Sequence, residues 1–399
     1  MLARLLPDAK LVHTPPMTNT LTDYASEKLA QLDAKSLKRT LKPTHRLDGL
    51  WVERDGRRLL SFSCNDYLNL SHHPAVKAAA VQAIADHGVG SAASRLITGE
   101  NPLFIQLEAK LAALKGTESA CLFGSGYLAN AGVIPTFVGP GDLVVVDALA
   151  HSCIWAGAKL SGAKTLVFAH NDVADLRRIL AEHRAGAARA LVATDGVFSM
   201  DGDLAPLDEI SAACRAHDVW LLVDDAHGLG VVGGGVGSAR EFPDAIIDLQ
   251  MGTLSKAAGG YGAYVCASKP VTDLLKTRAR TLVYSTGLPP ANAAAAMAAL
   301  DVMAAEPERV AAPLAKAQRF TRALNLAPAT SAVVPVVLGE ADRALAAARA
   351  LEDEGFLVVA IRPPTVPAGT ARLRLAFTAG HPDDEVDRLA GAVRRLLAA

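Results

Sequence analysis

Lys256, which closes the run Thr253-Leu-Ser-Lys, and the cluster Asp224, Asp225 and His227, which closes Leu221-Leu-Val, are the residues whose types and spacing could do chemistry. An amine forms a Schiff base with a carbonyl, and a carboxylate keeps a pyridine nitrogen protonated so that the ring accepts electrons. Amine, carboxylate and imidazole in one crevice therefore suit a pyridoxal phosphate enzyme. Each residue alone has a plainer reading. A lone lysine is mostly a solvated surface charge, and a strand-end aspartate is often a helix cap or turn former. A competing motif overlaps the cluster: Gly228-Leu-Gly-Val-Val-Gly233 matches the G-x-G-x-x-G of nicotinamide-dependent dehydrogenases. That fingerprint must run into an amphipathic helix, whereas Gly234, Gly235 and Gly237 follow here. We read it as a turn that leads the chain away from the crevice. A noncatalytic binding protein that keeps the fold is the third alternative.

The reactive groups meet only if the elements beneath them are neighbours. Residues 219–223 and 245–251 are short apolar runs of the kind that form buried strands. Ligands of open α/β sheets collect outside the carboxyl ends of such strands. Residues 119–123, 143–146, 164–168 and 190–194 follow the same pattern. They alternate with helical stretches near 102–115, 151–160, 172–184 and 206–217, which predicts an α/β fold with a mostly parallel central sheet flanked by helices. Between strand and helix, Gly124-Ser125-Gly126-Tyr127 would let backbone amides approach an anion at a helix start; it is equally an ordinary strand-to-helix turn. The Gly/Ser loop 88–99 is long enough to expect a functional role.

Upstream, residues 1 to about 20 read as a loose leader. Residues 21 to about 41 read as a helix whose basic end (Lys35, Lys38, Arg39, Lys42) is better explained by the helix dipole than by an anion contact. Residues 50–62 read as a hairpin turning at Asp55-Gly56. Downstream, residues 272–303 are helical apart from 284–290. From Glu306 the pattern resets to helix, strand 332–338, helix, strand 356–360, loop 361–370, strand 372–377 and a terminal helix, a smaller α+β unit. The expected divisions are 1–62 (leader, helix and hairpin), 63–305 (large cofactor-binding domain) and 306–399 (small C-terminal domain).

Composition narrows the classes. A chain of 399 residues, 51% apolar and 20% charged, suits a globular enzyme. Its formal net charge of −1, without a basic run, argues against nucleic acid and anionic membranes as partners. Five scattered cysteines without C-x-x-C indicate neither a zinc site nor a disulfide framework and fit a reducing cytoplasm. The start, Met1-Leu-Ala-Arg-Leu-Leu-Pro-Asp, is not patterned as a secretory signal. The longest apolar stretch, 293–300, is too short to span a bilayer.

Six spaced motifs then resemble the α-oxoamine synthases, a branch of the fold-type I pyridoxal phosphate enzymes. They are Asn65-Asp-Tyr-Leu, Ser125-Gly-Tyr, Gly196-Val-Phe-Ser-Met-Asp-Gly202, Val223-Asp-Asp-Ala-His-Gly228, Thr253-Leu-Ser-Lys256 and Ile361-Arg-Pro-Pro-Thr-Val-Pro-Ala-Gly-Thr-Ala-Arg-Leu-Arg374. The resemblance implies the fold-type I transferase architecture and a homodimer with its site at the interface. Within the family it points to the members that join L-alanine to pimeloyl-CoA or pimeloyl-acyl carrier protein. Lys256 would carry the Schiff base and move the α-proton, Asp224 would pair with the pyridine nitrogen, Ser199 and His227 would bond the ring hydroxyl, and His151 would stack on the ring. Ser125, Gly126, Tyr127, Thr253 and the partner's Thr286 would hold the phosphate. Asn65, His151 and Arg374 would receive the amino-acid carboxylate, with Arg39 and Thr365 toward the acyl thioester. Asn69 and Ala92-Ala93 stand where the family is richer in glycine, which implies an effect on acyl-chain selection.

Overall fold

Alternation along the central strands decides the architecture. In Leu143–Asp147, Val144 and Val146 pack into one hydrophobic cluster while Leu143 and Val145 pack into another. In Trp220–Asp224, Leu222 is divided in the same way from Leu221 and Val223. Successive side chains leave a strand on opposite faces, so strands that are apolar throughout need cover on both sides. The computed structural model, which describes residues 20–35 and 37–398, supplies it with helices. The expected leader lies outside the described residues.

Seven strands form the central sheet in the order Ser119–Phe123, Ala263–Ala267, Leu249–Thr253, Trp220–Asp224, Ala190–Asp195, Leu143–Asp147, Lys164–Phe168. All run the same way except Ala263–Ala267, which is antiparallel to both neighbours. The two runs singled out from the sequence are adjacent and parallel, with Asp224 opposite Met251. Ala263–Ala267 was not anticipated. Its five residues are all buried.

The first described helix, Leu21–Ala34, opens on a capping box in which Thr20 and Asp23 bond each other's backbone amides. It ends earlier than expected, because the Leu37 amide turns back to the Leu32 carbonyl at 2.8 Å. Lys35 caps that end, whereas Lys38, Arg39 and Lys42 lie beyond it, so the dipole explanation fails for those three. The hairpin Trp51–Arg54/Arg57–Ser61 forms as expected, with Asp55 at φ 52° and Gly56 at φ 73°, the left-handed pair that a tight two-residue turn requires.

The expected strand 356–360 divides in two. Phe356–Leu357 pairs in parallel with Arg57–Ser61, while Val359–Ile361 joins Ala371–Ala376 and Val333–Gly339 in a separate antiparallel sheet. Leu60 and Phe62 thereby share a core with Phe320, Phe356, Phe377 and Leu389. Among the described residues no helix is long and apolar enough to cross a membrane, and no group of three or more His, Cys, Asp or Glu could hold a metal ion.

Candidate active site

Parallel strands deliver their last residues to one edge, and that edge carries the polar groups. Asp224 and Asp195 end neighbouring strands with paired registers, and Thr253 ends the next strand, three residues before Lys256. The strand Ser119–Phe123 feeds the Gly124-Ser125 turn, where the Ser125 hydroxyl caps the helix Gly126–Phe137 by accepting from the Leu128 amide at 3.3 Å. Ser125, Gly126, Tyr127, Thr253, Asp224 and Lys256 line one cavity of about 200 Å³. His151, His227 and Lys256 also line a second of about 250 Å³, together with Asn65, Ser199 and Arg374. His151 and Ser199 continue into a third of about 800 Å³, bounded by Arg39, Trp155 and Pro363 to Ala368. Shared walls make these one cleft with three chambers.

At the floor, Asp224 accepts hydrogen bonds from Asn130 Nδ2 at 2.7 Å and the Ala226 amide at 3.0 Å. Asp195 accepts from the His151 amide at 3.1 Å; burial, then the charge of Asp224, pushes its carboxyl well above the usual carboxylate range. Lys256 is held below the ordinary lysine value, with burial the leading cause; Asp224 and Asp195 oppose that shift and Arg374 adds to it. Burial also lowers His151, against the pull of Asp224, and drives His227 well below its ordinary value. The His227 Nδ1 shares a 2.6 Å hydrogen bond with the fully buried Tyr67 hydroxyl, which fixes the ring.

In the second chamber Arg374 is anchored through Nε to the Ser199 carbonyl (2.5 Å) and through Nη1 to Asn65 Oδ1 (3.2 Å). A guanidinium held in this way presents a planar fork suited to a carboxylate. In the third, Arg39 Nη2 donates to Thr365 Oγ1 at 2.7 Å, so the basic residue misread as a helix end sits at the chamber wall.

This donor set fits pyridoxal phosphate. The first chamber holds an amine and a carboxylate, the groups that the aldehyde and the ring nitrogen would require. Its phosphate end is a helix start where a Cβ on Gly126 would come within 3.1 Å of Met251 Cε, so only a glycine backbone reaches so close without displacing that side chain.

Several expected residues are placed differently from their motif neighbours. Asp225 turns away from the cleft and accepts from buried Lys115 Nζ at 2.8 Å and from the Ser238 amide at 3.1 Å. Thr286 does not line the Lys256 chambers; it borders a small cleft with Arg95 and Phe104. Asn69, expected to add bulk near the substrate, lines none of the three chambers. It keeps a left-handed backbone (φ 55°), with its side chain accepting from the Gly380 amide at 2.7 Å. Asparagine tolerates that conformation, so the glycine-like turn survives the exchange. Ala92 takes the same conformation at φ 59°. The glycine run 228–233 enters no α-helix, and a Cβ on Gly228 would lie 1.9 Å from Asp225 Oδ1. These glycines serve tight packing, and the dinucleotide reading is set aside.

Tyr67, Asn130, Cys153 and Asp195 were not singled out as site residues. Asp195 had a signal in the sequence, a carboxylate closing a buried strand, the same feature that marked Asp224.

Comparison with known proteins agrees with this geometry. A family profile described as aminotransferase class I and II matches residues 57–393. An 8-amino-7-oxononanoate synthase of Beijerinckia indica subsp. indica is 59% identical over 382 residues, covering 96% of this chain and 99% of that protein. A serine palmitoyltransferase from S. paucimobilis, solved with a bound PLP–myriocin aldimine, is similar with a TM-score of 0.88 and 28% identity, over 95% of this chain and 98% of that one. The 8-amino-7-oxononanoate synthase of Francisella tularensis is similar with a TM-score of 0.73 and 25% identity, over 85% and 98%.

Proposed function

This chain belongs to the class I and II aminotransferase family, among its pyridoxal phosphate-dependent 8-amino-7-oxononanoate synthases, and we propose that it joins L-alanine to a pimeloyl thioester. Carbon dioxide and the carrier thiol, coenzyme A or acyl carrier protein, leave, and 8-amino-7-oxononanoate goes to biotin synthesis. The observation that carries this reading is the three-chambered cleft. It holds amine and carboxylate in the first chamber, an anchored guanidinium in the second, and room for a long acyl chain in the third.

The bound cofactor supplies the electron sink that makes the α-proton of the amino acid removable. Lys256 and Asp224 would hold it at aldehyde and ring nitrogen, Ser125, Gly126, Tyr127 and Thr253 at the phosphate, and Ser199 and His227 at the ring hydroxyl. Arg374 and Asn65 bind the alanine carboxylate and so fix the direction in which the α-proton points. Lys256 Nζ takes that proton; its lowered proton affinity leaves a larger share of free amine near neutral pH than an ordinary lysine has. His151, on the wall common to all three chambers, excludes water from one side of the reacting carbon. Arg39 and Thr365 orient the thioester from the far side.

A homodimer in the cytoplasm completes the proposal. The exposed Leu96, Ile97 and Tyr284 give a second copy an apolar surface near Thr286, and the five unpaired cysteines suit a reducing compartment.

The test offers alanine, glycine and serine in combination with pimeloyl, acetyl, succinyl and palmitoyl thioesters. Alanine with the pimeloyl thioester should give the highest kcat/KM; preference for glycine with acetyl or serine with palmitoyl would overturn the substrate assignment.

A further inference from the structure

Cys153 is buried at the first turn of the helix Ser152–Ser161, with its sulfur at the meeting point of His151 and Asp224, which line the first chamber, and the buried Asn130. Its Sγ lies 2.8 Å from His151 Nδ1 and 3.7 Å from Asp224 Oδ2, and it accepts from Asn130 Nδ2 at 3.1 Å. The Cys153 amide also points at His151 Nδ1, at 3.3 Å. Asn130 donates to Asp224 as well, so the four side chains form one connected set. A thiol has one hydrogen, and two acceptors compete for it.

We propose that Cys153 is a positioning residue that fixes the His151 ring and couples the charge of His151 to that of Asp224. With a neutral imidazole, S–H donates to Nδ1, and the remaining N–H is on Nε2. When His151 takes up a proton, Nδ1–H donates to Sγ, and the thiol hydrogen turns to Asp224 Oδ2. No bond to carbon or sulfur is made or broken; one hydrogen changes direction. Burial holds the Cys153 thiol well above its ordinary value, which keeps that hydrogen in place. A fully apolar residue here would leave His151 with only the backbone amide at Nδ1.

The inference rests on Asp224 and His151 belonging to the reactive chamber, but its test does not read turnover, so it can fail separately from the substrate assignment. In the holoenzyme labelled with nitrogen-15 histidine, the His151 resonance, assigned by its loss in His151→Asn, is followed with pH in wild type, Cys153→Ser and Cys153→Ala. Wild type should show a single neutral tautomer, protonated at Nε2. The alanine variant should lower the titration midpoint by at least about half a unit, because the charged ring loses its acceptor. The serine variant, whose oxygen is the better acceptor, should raise the midpoint and keep the tautomer. If Cys153→Ala does not fold, the serine arm decides. Midpoints and tautomer unchanged from wild type in every folded variant would overturn the proposal.

Discussion

The proton affinity of Lys256 is set by its surroundings more than by its residue type. Burial and the nearby Arg374 lower its proton affinity, while Asp224 and Asp195 keep it from falling further. Replacement Lys256→Ala should cut turnover by roughly a thousandfold or more. It should also abolish the borohydride-reducible link to the cofactor while leaving the thermal melt near wild type; normal turnover in the variant would remove Lys256 from its proposed role. At this scale the sequence was legible where a residue type followed a recognisable strand, as for Asp224, Lys256 and the Ser125–Tyr127 turn. His151 and Ser199 were found through resemblance alone, since a helix-start histidine and a turn serine have no distinctive spacing. Tyr67, Asn130 and Cys153 were invisible for a physical reason. Tyr67 bonds a group 160 residues away and Asn130 one 94 away, while Cys153, besides His151 two residues before it, meets Asn130 and Asp224 across 23 and 71; only the folded sheet brings those distant partners together.

Between residue and molecule, the elements are held to one another by polar rivets. His170 follows the strand Lys164–Phe168 and bonds Asp147 through Nδ1 at 3.0 Å and Asp203 through Nε2 at 2.9 Å, with its ring edge-on to Phe198. It thus fastens two strand ends to the turn that carries Ser199. Partial burial works against its protonation, but the two carboxylates outweigh that and raise it to about 10. Because this value lies above the unfolded one of about 6.5, the stabilisation is complete below pH 6.5 and is lost progressively as pH rises through about 10. His170→Asn should cost about 1–3 kcal/mol at pH 7 in urea unfolding, as the carboxylates lose a charged donor. The deficit should shrink toward pH 10; one that stayed constant would show that charge is not the cause. Elements were the most legible level, because strands and helices that alternate every few residues leave a strong apolar pattern. Ala263–Ala267 escaped since an antiparallel strand inserted among parallel ones breaks that rhythm.

For the molecule as a whole, the joint between its two ends was the least legible part. The sequence separates residues 1–62 from 306–399, yet His381 Nε2 meets the Ser61 carbonyl at 3.0 Å, and its Nδ1 accepts from the Thr378 amide at 2.9 Å. The ring stacks on Phe62 with centroids 4.0 Å apart. Burial, reinforced by Lys316 and only partly offset by the Ser61 bond, depresses His381 to about 4. A depressed histidine stabilises the fold fully above pH 6.5 and loses that contribution as pH falls through about 4. Wild type should therefore lose roughly 1–3 kcal/mol more than His381→Gln between pH 7 and pH 4, measured by urea midpoints; parallel losses would rule out this histidine as the acid-sensitive joint. Strand pairing at the same joint has a consequence in time. Val359 bonds Ser63 from 296 residues away, beside the parallel contact of Phe356–Leu357 with the hairpin. The free edge of the hairpin can be paired only after the last part of the chain has been synthesised. The cleft's second chamber, walled by Asn65 from the early part of the chain and Arg374 from the last, is thus among the last features of the enzyme to exist.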